Sequence, residues 1–86
     1  DLKSGQYYLE RANRIEPNNL DGLKDLGTVY GMTNQPQKAA VVFEKAIKIA
    51  PNDQQVCFNY GISLSQLGQK AKADSMFTVA KNLAKK

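Results

Sequence analysis

Apolar residues recur along this chain at spacings of three, four and seven, for instance Tyr8, Leu9, Ala12 and Ile15, then Val42, Phe43, Ala46, Ile47 and Ile49. At 3.6 residues per turn such positions gather on one face of an α-helix, leaving the polar residues between them for the opposite face. Five amphipathic helices are predicted, near residues 2–15, 20–32, 36–49, 54–67 and 70–84, and no alternating pattern proposes a strand. The breaks between them carry their own chemistry. Pro17-Asn18-Asn19 and Pro51-Asn52-Asp53 each join a proline that cannot extend the preceding helix to a side chain that can accept from the free N–H groups of the next one. Asn34 and Gly68 suit left-handed helix ends, and Pro36 suits a first helical turn.

The helices repeat. An offset of 34 residues links Leu9 to Phe43 to Phe77, Ala12 to Ala46 to Ala80, Ile15 to Ile49 to Leu83, Gly27 to Gly61 and Pro17 to Pro51. A fixed period of this size marks a solenoid, in which one unit cannot bury its apolar face alone and must stack on its neighbours. Gly22, Gly27 and Gly31 share one predicted helix, although glycine in a helix interior costs about 1 kcal/mol relative to alanine. Gly27 and its repeat Gly61 fall where the two helices of a hairpin approach closely. Gly31 has no such packing role and is expected to clear space on the exposed side.

The full unit reads Leu23-x-x-Leu26-Gly27-x-x-Tyr30, then Ala39-x-x-x-Phe43-x-x-Ala46, then Pro51. The next reads Cys57-x-x-Tyr60-Gly61-x-x-Leu64, then Ala73-x-x-x-Phe77-x-x-Ala80. This pattern closely resembles the tetratricopeptide repeat (TPR), with Leu23 where the family usually has Trp. The resemblance implies an all-α, right-handed superhelix of antiparallel helix hairpins, about two and a half repeats long. Residues 1–19 would be the second helix of a truncated leading unit, 20–53 a complete unit, and 54–86 a unit with a lysine-rich terminal helix. A chain that enters in mid-repeat is expected to be a piece of a longer protein. The leading helix would then leave Leu2, Tyr8 and Leu9 partly uncovered, a strip that invites self-association.

Composition narrows the function. No apolar run approaches the roughly 20 residues that span a bilayer. The net charge of +4 comes from the last third, where Lys70, Lys72, Lys81, Lys85 and Lys86 face Asp74 alone. A nucleic-acid surface would want arginines interleaved with aromatics or a broad basic face, so a solvated terminal helix is the better reading. Histidine is absent, and the single cysteine, Cys57, stands at a buried position of the repeat, where a packed, inert thiol is expected. Nucleophile dyads, zinc sets and phosphate-binding loops are therefore not on offer, and neither catalysis nor a cofactor is expected.

Function then falls to surface recognition. In the family that the chain resembles, the first helix of each hairpin lines a concave face that receives an extended peptide or a partner helix. By register, that face carries Asp21, Lys24, Asp25, Thr28, Gly31 and Met32 from one helix, and Gln55, Phe58, Asn59, Ile62, Ser65 and Gln66 from the other. Lys24, Thr28, Gly31, Phe58, Asn59 and Ile62 are the expected protein- or peptide-binding residues; Phe58 either leans onto the neighbouring helix over Thr28 and the stem of Lys24, or forms with Ile62 the wall of an apolar pocket beside Thr28 and Gly31. The carboxylate clamp of some co-chaperone TPR domains is matched only at Lys24 and Asn59, with Thr28 in place of an Asn. An adaptor is the leading function. A regulatory or substrate-docking arm of a larger enzyme, or a self-assembly module, is the alternative.

Overall fold

A computed structural model describes residues 1–85; Lys86, the last of the terminal lysines, lies outside the described residues. It has five helices, α1 (Leu2–Ile15), α2 (Leu20–Met32), α3 (Pro36–Ile49), α4 (Gln54–Gln66) and α5 (Lys70–Ala84), and no strand among the described residues. Each helix packs on the next in sequence, and α4 also meets α2. These nearest-neighbour contacts are those of a solenoid.

The helix ends form where the turn chemistry allows. The Asn19 side chain accepts from the Gly22 N–H at 2.8 Å, and Asp53 accepts from the Val56 N–H at 3.1 Å, so α2 and α4 start on capped amides. Within the hairpins, Asn34 and Gly68 are the only residues described with positive φ, at 58° and 82°. After each of them the chain closes a Schellman turn: the Gln35 N–H bonds the Tyr30 carbonyl, and the Gln69 N–H bonds the Leu64 carbonyl.

The core follows the 34-residue register. Leu23, Leu26, Tyr30, Ala39, Phe43 and Ala46 in one hairpin and Val56, Cys57, Tyr60, Leu64, Ala73 and Ala80 in the next are all buried. A Cβ placed on Gly27 would sit 2.6 Å from the Phe43 ring, and one on Gly61 would sit 2.7 Å from Phe77. Bare backbone is thus what lets α2 reach α3 and α4 reach α5. Cys57 is buried, and burial pushes its thiol above the ordinary value, as expected of an inert packing residue.

Polar links repeat across the hairpin boundaries. The Tyr30 hydroxyl donates to Glu10 and the Tyr60 hydroxyl to Glu44, while Lys38 and Lys72 lie 5.7 and 5.6 Å from the centroids of those same two rings. The glutamates and the lysines are each 34 apart, yet the tyrosines are not, so two different positions of the first helix reach one equivalent setting. Burial, and then the Glu10 contact, push Tyr30 up to about 12.

One helix departs from this economy. No residue of α1 is buried. Its Ala12 is exposed, whereas the equivalent Ala46 and Ala80 are at most 2% exposed. Leu2, Tyr8 and Ile15 are also exposed, so the outer side of α1 has the apolar pattern of its repeats without their cover.

Candidate functional site

Helices α2 and α4 lie side by side, and two cavities open between them. The first, of about 210 Å³, lies toward their C-terminal halves and is lined by Gly27, Thr28, Gly31, Met32, Phe43, Asn59, Ile62, Ser63 and Gln66. Two glycines one turn apart strip that side of α2 to backbone, and the Phe43 ring behind them joins the lining. Nothing comes within 4 Å of a Cβ built on Gly31, so its missing side chain is open space and serves no packing contact. The second cavity, of about 390 Å³, lies toward the N-terminal halves and is lined by Asp21, Lys24, Asp25, Thr28, Gln55 and Asn59. Thr28 and Asn59 belong to both, which makes the two continuous.

The polar groups divide into occupied and free. The Thr28 hydroxyl donates to the Lys24 carbonyl and the Ser63 hydroxyl to the Asn59 carbonyl, each within its own helix. Among the described residues, the side-chain amides of Asn59 and Gln66 make no internal hydrogen bond and face the first cavity. Lys24 Nζ is held by the Asp53 carboxylate at 2.9 Å, with the two side chains only 24% and 19% exposed. The one cation on this face is therefore already paired, so the partial match of Lys24 to a carboxylate clamp falls on an engaged ammonium.

That ion pair has a consequence for acid stability. Burial alone would raise the Asp53 carboxyl, but the hydrogen bonds from Lys24 and from the Val56 N–H outweigh it and hold the group below its ordinary value. Its contribution is fully present above an ordinary aspartate pKa of about 3.9 and is lost as pH falls through the lower folded value. Lys24→Met should accordingly bring the onset of acid unfolding, followed by circular dichroism, to a higher pH than in the parent chain. Superimposable acid transitions would show that the pair adds nothing.

Of the six expected binding residues, five line the cavities: Lys24 in the polar part, Gly31 and Ile62 in the apolar part, and Thr28 and Asn59 in both. Phe58 lines neither. It is 47% exposed and its ring lies 5.6 Å from that of Phe77, so it leans along its own hairpin and not toward α2. Phe43, Gly27 and Ser63 line the first cavity without having been on the face that register assigns. A Gly-x-x-x-Gly step on an exposed helix, which opens a view to the aromatic behind it, was the signal for the first; nothing marked Ser63.

Comparison with known proteins fits this geometry. Residues 25–53 match the family model of the tetratricopeptide repeat. These residues form a tetratricopeptide repeat. "Protein CTR9 homolog" of Arabidopsis thaliana is 33% identical over 86 residues, which is all of this chain and 8% of that protein. Two solved MamA structures, MSR-1 and AMB-1, superpose with TM-scores of 0.88 and 0.89 at 21% identity, each over 98% of this chain and 48% and 50% of theirs. The TPR chain thus spans a small part of its curated relative and about half of each structural neighbour, and at this identity the neighbours speak for the fold. Their likeness makes this an all-α TPR superhelix. A TPR is a protein-interaction scaffold in general terms. Among the described residues no helix is long and apolar enough to cross a membrane.

Proposed function

We propose that this TPR segment is a protein-interaction module that takes an apolar side chain of a partner into the cavity between α2 and α4. The observation that carries the reading is Gly31. Gly31 lies exposed in the last turn of α2, where glycine costs at most about 1 kcal/mol relative to alanine, and here no neighbour requires it. It does keep an apolar cavity open. At about 210 Å³ that cavity is below the usual range of small-molecule sites and suits one aliphatic or aromatic anchor, where binding energy concentrates. The free amides of Asn59 and Gln66 stand at its rim, suited to the backbone of an extended segment.

The test is an amide NMR titration of the whole chain with N-acetyl-leucinamide. Shifts are expected at Gly31, Asn59, Ile62 and Gln66, and Gly31→Leu, which fills the cavity from an open position, should abolish them while leaving the fold intact. Shifts that survive Gly31→Leu, or that map to α1, would overturn the proposal. The exposed strip on α1 favours a second reading, self-association or contact with a further helix through Leu2, Tyr8 and Ile15. A dilution series by light scattering separates it from the first, because only this reading requires association without a ligand.

A further inference from the structure

The concave face is charged against the trend of the chain. The net charge is +4, yet Lys24 is the only basic residue on α2 or α4, and α4 carries no charge of either sign. Lys24 is held by Asp53. Asp21 and Asp25, which line the polar cavity, have no ion pair among the described residues. Asp21 lies in the first turn of α2, where a carboxylate favours the positive end of the helix dipole. Asp25 lies beyond that turn and has no internal partner to explain it.

We infer that the partner segment pairs its apolar anchor with a lysine or arginine, the anchor seated beside Gly31 and Ile62 and the cation between Asp25 and Asp21. This rests on the concave-face reading and adds the polarity of the ligand to it. Charge complementarity selects the occupant: with Lys24 neutralised, an acidic segment meets two unpaired carboxylates, whereas a basic one compensates them. Spacing follows from the helix. Gly31 lies six positions beyond Asp25, about 9 Å at the α-helical rise, and an extended chain covers that distance in about three residues. Thr28 and Asn59, shared by both cavities, lie along the way. The polarity is opposite to that of a carboxylate clamp.

A phage-displayed library of random dodecapeptides, panned on the intact chain, reads both parts at once. Enriched peptides should carry a Leu, Ile, Met or Phe about three positions from a Lys or Arg. Their affinity should fall about three- to ten-fold in Asp21→Asn/Asp25→Asn and weaken with added salt, while a version with the cation changed to Gln should bind the parent and that double variant equally. Enriched peptides that bind through an apolar residue but are indifferent to both aspartates, or that favour Asp and Glu, would overturn the inferred polarity and leave the cavity reading standing. No enrichment, or binding that survives Gly31→Leu, would overturn both.

Discussion

Replacing Phe43 by alanine is expected to cost about 3–5 kcal/mol, the usual range for truncating a buried aromatic. The number is large for this chain, because a domain of 86 residues has roughly 4–13 kcal/mol in all at ordinary stability per residue. Phe43 is 2% exposed, its ring lies against the bare backbone of Gly27, and its helix packs on both α2 and α4. Its loss opens one hairpin and the junction to the next together. Thermal unfolding followed at 222 nm should show a midpoint lowered by at least about 12 °C. A fall of only a few degrees would mean that the two hairpins do not share this ring.

The second large effect is a contrast between two glycines one turn apart on α2. Gly27→Ala adds a methyl at 2.6 Å from the Phe43 ring, which must shift to admit it, and overpacking of this kind costs about 1–3 kcal/mol. Gly31→Ala adds the same methyl to open space, so only the helix preference remains, a gain of at most about 1 kcal/mol in the last turn of α2. One substitution should lower the unfolding midpoint while the other raises it. Because the nearest atoms to the added methyl are at the far end of the Phe43 ring, Phe43→Leu removes what Gly27→Ala collides with. In that background the cost of Gly27→Ala should shrink, a coupling that a double-mutant cycle measures directly. Equal effects at the two glycines would contradict the packing described for α2.

What was legible in the sequence is what the 34-residue period and local chemistry dictate. The five helices, the caps at Asn19 and Asp53, the left-handed ends at Asn34 and Gly68, and the close helix approaches at Gly27 and Gly61 all follow from spacing, while the phenylalanine that meets each glycine does not, and α4 alone ends one residue earlier than expected. The site was legible as a face but less so as a surface. Register places Phe58 on the first-helix side without saying which neighbour its ring reaches, and Phe77 won over the cavity. Lys24 reads as a free cation until Asp53, 29 residues away, is brought to its ammonium. Tyr30 and Tyr60 meet equivalent glutamates from non-equivalent positions, which no periodic comparison foretells. In each case the missing information is the direction of one long side chain across a helix boundary.

The recognition claim is tested most directly by intermolecular NOEs between the intact chain and one library-selected dodecapeptide. Contacts are expected from the apolar side chain of the peptide to the methyl groups of Ile62 and Met32, and from its cationic side chain to the region of Asp25. Contacts confined to Tyr7 and Tyr8 on α1, or to the lysines of α5, would contradict it.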